Sequence, residues 1–590
     1  MSRLHPGSAS LGLLGLSCLV AALCALAAPA AVAKDPSSAL YRNPILAGDW
    51  SDPDVVRVGD DFYMTASSFV NVPGLPVLHS SDLVHWTIIG HALDRLPQDG
   101  HYRTPRKGGG VWAPAIRFRD GLFRIYYPDP DFGIYVVTAK NPAGPWSPPA
   151  LVDDSKGAID PAPFWDEDGT GWLVHGWARS RAGFANRLTL KRLSADGSRT
   201  LDNGVTIIDG ESLPPVQTSI GLAAWETIEG PKLYRRDGYY YIFAPVGGVK
   251  PGWQAVFRAR RITGPYEGRN VLDQGTTPIN GPHQGAWVDT GLGEDWFLHF
   301  QDTDSYGRRV HLQPMTWRDG WPIIGQDRDG DGRGEPVLCH AAPRTRQRST
   351  GEPQASDAFD TRRLSLAWQW NSNPSEDWAD LEARPGWLRL RATPGSANLY
   401  ETGAILTQKL PGPVFTAETV LEFLPQRVGE AAGLGMFGSA YAWIGLEMRV
   451  NGVFLVERRR DRASEDGAET VVFERRIEGG RTIGLRLAAE PVVVSVAPSQ
   501  DHADWPSKGR EFHAAVRFSY SLDGQPFEEI ADMFQSRPGR WVGAQIGLFS
   551  VANSGAPAFK ATTTGYADFD MFEVTTSAPR QMLMPEVDCR

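Results

Sequence analysis

The sequence predicts an all-β protein of two domains, a five-bladed β-propeller followed by an antiparallel β-sandwich. Three observations carry that reading. A short unit, an acidic or glycine turn followed by an aromatic strand, occurs five times in the first half. The repeat then stops at a polar segment rich in Pro, Arg and Ser, and strands of strict apolar–polar alternation take over. Amphipathic helical periodicity is scarce throughout, whereas short alternating runs between Gly, Pro, Asp and Asn turns are everywhere.

A chain of 590 residues exceeds one ordinary domain. It opens with Arg3 and His5 ahead of an apolar run that closes on Ala31-Val32-Ala33, the pattern of a secretory leader. Residues 1–33 are therefore expected to be removed and the protein exported, to the periplasm or the medium. Neither Cys18 nor Cys24 follows a good lipobox, and no later segment approaches a membrane span. Cys339 and Cys589 remain, and their spacing alone does not decide whether they pair. A formal net charge of −10 argues against nucleic acid as a partner. Twenty Trp suit stacking on sugar faces, and they equally suit the core of a large β protein.

The five units are "GDDFYMTASSF", "RDGLFRIYYPD", "EDGTGWLVHGW", "RDGYYYIFAPV" and "GEDWFLHFQDT". Their spacing of about 50–70 residues suits a four-stranded sheet per repeat, and five such sheets make a five-bladed propeller over residues 40–342. The strand before each turn opens on Asp52, Trp112, Asp160, Glu229 and the pair His283-Gln284. Three of these acids stand eight residues before an Asp: Asp52 before Asp60, Asp160 before Asp168, Glu229 before Asp237. First strands of propeller blades line the central axis, so equivalent positions surround one point. Asp-Pro and Glu-Gly are common turn openers, and one alone would carry nothing. Three acids at one register of a repeat point to a shared site at the mouth of the channel.

These residues resemble glycoside hydrolase family 43, in its β-xylosidase-like members. The resemblance rests on "NPILAGDWSDPDVVRVGDDFYMTASSF", "GVWAPAIRF", "IDPAPFWDEDG", "IEGPKLY" and "GPHQGAWVDT", and it spans nearly all of the chain after the leader. It implies a propeller joined to a concanavalin-like sandwich, with Asp52 as base, Asp160 as modulator and Glu229 as acid. Inverting hydrolysis needs such a pair, one carboxylate to activate water and one protonated carboxyl for the leaving oxygen. Arg308, in "SYGRRVHLQPM", matches the arginine that contacts substrate and tempers the acids; Arg309 beside it is the competing assignment. His283 or Gln284 matches an axial position beneath the sugar, and Phe69 and Trp112 are candidate pocket walls. The implied activity is an inverting exo-glycosidase on xylan-derived oligosaccharides, a β-xylosidase. The alternative is an α-L-arabinofuranosidase acting on side chains of plant cell-wall polysaccharides. A non-catalytic sugar-binding propeller would be favoured by loss of one of the three acids, and all three are present.

After "WPIIGQDRDGDGRGEPV" comes a linker at 343–356, then the sandwich at 357–577, with alternating strands such as "WLRLRAT" and "YAWIGLEMRV". The resemblance sets "IGLFSVANSGAPAF" at a loop that reaches the pocket rim, with Phe549 contacting substrate. The competing reading is that Phe549 packs in the core. No cofactor is required for the implied chemistry. A structural Ca2+ is compatible with it: Asp327, Asp329 and Asp331 open like a calcium loop, although Leu338 stands where the twelfth-position Glu belongs. In the family's sandwich, Asp357 and Asp568 are the weak candidates for a calcium.

Overall fold

The computed structural model describes residues 40–465, 467–478, 482–495, 510–553, 564–584 and 589. The expected leader at 1–33 lies outside them. The only α-helix among the described residues is the four-residue Arg179–Ala182, and no helix there is long and apolar enough to cross a membrane.

Five four-stranded antiparallel sheets follow one another along the chain, each built from consecutive strands. Blade 1 runs from Asp54–Val58 to Thr87–Leu93, and blade 2 from Ala115–Arg119 to Ala150–Asp153. Blade 3 runs from Ala158–Trp165 to Val205–Asp209, blade 4 from Lys232–Arg236 to Glu267–Leu272, and blade 5 from His283–Asp289 to Trp321–Ile324. Each repeated aromatic unit forms the second strand of its blade. The strand Tyr239–Val246 shows why these runs are so apolar: seven of its eight residues are buried. Blades stack face to face, so both sides of a middle strand are covered. Ile242, Ala244 and Val246 pack on blade 3 through Val174 and Leu190, whereas Tyr241 and Phe243 pack on blade 5 through Phe297 and Ile324. Three further apolar clusters join blades 5 and 1, 1 and 2, and 2 and 3, which closes the ring.

The ring is clasped by Leu40–Arg42, which pairs antiparallel with Cys339–Ala341. Asn43 reinforces it by donating to the carbonyls of Leu312 and Val337, each at 2.8 Å. A disulfide joins Cys339 to Cys589, tying the C-terminal end to this clasp.

The sandwich packs two large sheets around Leu421, Phe423, Leu434, Ile444, Leu485, Phe518, Leu548 and Phe569. The strand Phe415–Leu424 alternates buried and half-buried residues without a break, as a strand with one core face must. Segment 343–356 does not hang free: Ser349 accepts from the Ser81 amide at 2.8 Å and donates its own to Asp82 at 3.2 Å. The domains also dock through backbone. Val72 and Trp370 exchange two hydrogen bonds, and the Tyr306 hydroxyl donates to the Pro413 carbonyl at 2.9 Å.

Candidate active site

The carboxylates do converge, but through two adjacent positions and not one. The hairpins of blades 1 and 4 are alike, pairing Asp54 to Val58 with Asp61–Thr65 and Lys232 to Arg236 with Tyr239–Phe243. Counting back from those pairs, Asp52 is equivalent to Gly230, and Glu229 stands one residue earlier. The shared spacing of eight arises because Asp is the second turn residue in Gly59-Asp60 and the first in Asp237-Gly238. At the inner position Asp52, Asp160, Gly230 and Gln284 all have left-handed backbones, with φ of 56°, 57°, 57° and 43°. Asp tolerates that region better than most residues, and Gly without cost. The outer position carries Trp112, Glu229 and His283.

Asp52 is buried and well supplied with donors. The Ser67 hydroxyl donates to Oδ2 at 2.5 Å, and Arg308 Nη1 lies 3.2 Å from Oδ1. Arg308 itself rests over the Phe300 ring, 4.8 Å from its centroid. Asp160 accepts from the Gly230 amide at 2.7 Å and from Gln284 Nε2 at 3.1 Å. Burial, and then the Asp52 charge, push its pKa up to about 6 against those donors. Among the described residues Glu229 has no such donors. Burial raises its pKa well above the usual range, Asp160 and Asp52 raise it further, and only Arg308 opposes them. Of the two acids Glu229 is therefore the one more strongly biased toward its protonated form. A quarter of its side chain faces the cavity.

His283 does not line the cavity. It is fully buried behind Glu229, stacked at 8° on Phe300, with Nε2 3.1 Å from Glu229 Oε1. Burial and Arg308 hold the ring far below its usual pKa, so it is neutral, and neither ring nitrogen completes a hydrogen bond to protein. The expectation of a substrate contact passes to Gln284, which does line the cavity and orients Asp160. Arg309 is also settled: it is buried away from the acids and donates to Thr303 and to the Arg580 carbonyl.

The cavity has a volume of about 790 Å3. Asp52, Asp160 and Glu229 form part of its wall together with Phe69, Trp112, Gln284 and Arg308. Phe69 and Trp112 are neighbours because Phe69 exchanges backbone hydrogen bonds with Val111. Sequence reasoning missed three further aromatic walls: Trp177 at the end of a blade 3 strand, Trp225 in the connection between blades 3 and 4, and Trp541 from the sandwich. Trp541 packs against Gly108, whose carbonyl accepts from Trp112 Nε1 at 2.9 Å.

Phe549 is not at the rim. It is 0% exposed on the strand Gln545–Asn553, and it meets Trp443 and Phe437 edge to face at 5.1 and 6.2 Å. Along this strand Ile546 and Leu548 fill the space between the sheets, so Phe549 points to the opposite face, where Leu399 and Ala463 cover it. The stretch 554–559 of the expected rim loop lies outside the described residues.

The metal candidates divide into two carboxylates engaged by protein donors and one acidic cluster whose geometry could hold an ion. Asp568 is gripped by Arg389 at 2.7 and 2.8 Å. Asp357 accepts from the amides of Phe359 and Ser365 and from the Trp368 indole. Asp327, Asp329 and Asp331 do gather within 4.8 Å, but Arg318 and Arg333 pair with two of them.

Residues 41–322 match the glycosyl hydrolases family 43 profile, and 356–575 match that of the beta xylosidase C-terminal concanavalin A-like domain. A Xylanibacter ruminicola protein bearing a provisional beta-xylosidase name is 37% identical over 88% of this chain and 87% of its own. The non-reducing end alpha-L-arabinofuranosidase of Bacteroides ovatus is 32% identical over 67% of this chain and 73% of its own. The structure of xylan beta-1,4-xylosidase from Bacillus halodurans superposes with a TM-score of 0.76 at 24% identity, covering 91% of this chain and all of that one, which shows a common fold. A closed five-bladed propeller, a carboxyl cluster at its axis and these matches place the chain in glycosyl hydrolase family 43, as a glycoside hydrolase.

Proposed function

We propose that the enzyme is an exo-acting, inverting β-xylosidase in which Asp52 activates water, Glu229 protonates the leaving oxygen and Asp160 tunes Glu229. One observation carries the assignment, the unequal surroundings of the three acids. Arg308 and Ser67 stabilise charge on Asp52, the form that accepts a proton from water. Among the described residues Glu229 lacks donors such as those of Asp52, and it faces two acids, which favours its protonated form for donation. Its carboxyl comes from blade 4 and the base from blade 1. These blades are not neighbours in the ring, which leaves room for a sugar and a water between them, as inversion requires.

Asp160 adds negative charge beside Glu229 and is held in place by Gly230 and Gln284. Arg308 offsets part of the cluster's charge. Phe69, Trp112, Trp177 and Trp541 offer faces for the apolar side of a sugar ring. No step draws on a metal. The substrate class follows from the relatives named as xylosidases, and it sets the enzyme to work on plant cell-wall xylan fragments. The apolar run ahead of Ala31-Val32-Ala33 supports the reading of an exported enzyme, and a disulfide suits an oxidising compartment.

The test is hydrolysis of nitrophenyl β-xyloside and nitrophenyl α-L-arabinofuranoside side by side, with the anomer of the first-formed sugar read by NMR. Faster release from the xyloside with inversion is expected. Preference for the arabinofuranoside would move the enzyme to the activity named for the Bacteroides relative. Retention of configuration would refute the base–acid assignment.

A further inference from the structure

We infer that Asp49 is a positioning residue, whose carboxylate locks the Trp541 loop of the sandwich onto the Arg308 segment and so makes the sandwich a working part of the pocket. Asp49 is 5% exposed and does not itself line the cavity. Oδ1 accepts from the Arg308 amide and from the Ser51 hydroxyl, both at 2.9 Å. Oδ2 accepts from the Gly543 amide at 3.0 Å, across the boundary between the domains. The three donors belong to the residue before Asp52, the residue that binds Asp52, and the residue two after Trp541.

The surrounding backbone shows how closely the parts are fitted. The Trp50 amide donates back to the Arg308 carbonyl, and the Ala544 amide donates to Ser305. Gly307, at φ 71°, leaves no space for a side chain, since a Cβ there would stand 2.4 Å from Asp49 Cβ. A Cβ on Gly543 would stand 2.7 Å from the Gly307 nitrogen. Two glycines thus meet back to back, and the Asp49 carboxylate beside them bridges the Arg308 and Gly543 amides. A carboxylate accepts at both oxygens, as these three donors require, and an amide in its place can accept at one atom only.

This inference rests on the proposed glycosidase site, and the experiment separates the two. Asp49→Asn keeps an oxygen for Arg308 and Ser51 but turns an NH2 toward the Gly543 N–H. The sandwich loop is then pushed off, and KM for nitrophenyl β-xyloside should rise about tenfold while kcat falls less than threefold. In a Trp541→Ala background the same Asp49→Asn change should alter KM less than twofold, because the wall it positions is gone. Gly543→Ala, approaching from the sandwich side, should reproduce the KM effect and serves if Asp49→Asn does not fold. An equal rise in KM in both backgrounds, or an unchanged KM in Asp49→Asn and Gly543→Ala, would overturn the inference. A purely structural Asp49 would lower Tm and leave KM of the folded enzyme untouched. Full activity of Glu229→Gln in the same assay would instead remove the site assignment.

Discussion

Replacing Phe549 and Trp541 one at a time by alanine separates the sandwich as scaffold from the sandwich as pocket wall. Phe549 is fully buried, and its strand is paired on both sides, with Ile405 and Gly433 as its partners. The rings around it, Trp443 and Phe437, are held by their own strands and cannot close the gap. A buried Phe→Ala change costs ~3–5 kcal/mol, and the rigid lining puts this one in the upper part of that range. For a domain of this size each kcal/mol moves Tm by about 2–4 °C, so a loss of about 4–5 kcal/mol should lower the sandwich transition by roughly 8–20 °C. KM should not change at temperatures where the variant is folded. Trp541, at 41% exposed, should behave in the opposite way. Losing its contact with a sugar ring is worth about 1.4 kcal/mol, a tenfold rise in KM, with Tm shifted by less than about 3 °C. Calorimetry with initial rates on nitrophenyl β-xyloside reads both quantities. A Phe549→Ala enzyme with raised KM and an unmoved transition would refute the argument, as would a Trp541→Ala enzyme with unchanged KM.

Glu229→Gln should lose about 10²–10⁴ in turnover of xylo-oligosaccharides and much less on aryl glycosides with good leaving groups; equal losses on both would remove it as the acid. The same variant bears on stability. Folded Glu229 titrates above its unfolded value, so the folded state binds more protons, and stability falls as pH rises from the unfolded pKa through the folded one. Gln escapes that loss, so Tm of Glu229→Gln should exceed the parent's at pH 7 and converge with it near pH 4; a lower Tm at pH 7 would contradict the burial argument. Asp160→Asn removes the charge that raises Glu229, and the alkaline limb of kcat/KM should move to lower pH, whereas an unmoved limb would assign Asp160 to another role. Asp52→Asn should be inactive whatever the leaving group, with partial rescue by azide, and substantial activity without azide would send the search for the base elsewhere.

Much of the architecture could be read from the chain because blades are local. Each is built from consecutive strands, so a turn followed by an aromatic strand recurs in the sequence as it does in space. Asp52, Asp160 and Glu229 were legible for the same reason, since equivalent ends of repeated strands meet at the axis. Sequence counting still misaligned Glu229 by one residue, because a two-residue turn carries its Asp at either position. Only the backbone, with Gly230 taking the left-handed conformation of Asp52 and Asp160, showed the true register.

What the sequence determined by itself was therefore whatever repeats or alternates: the blade count, the sandwich and the three acids. Tertiary structure alone decided which aromatic of the second domain meets the pocket. Phe549 and Trp541 stand eight residues apart, and neither position carries a local mark of its fate. Alternation says that Phe549 faces one side of a sheet, but not whether that side is covered. Trp541 reaches the cavity because Gly543, Gly307 and Asp49 bring two domains within van der Waals contact, a meeting of residues up to 494 positions apart. Contacts of that range are set by how whole domains pack, and no short stretch of chain encodes them.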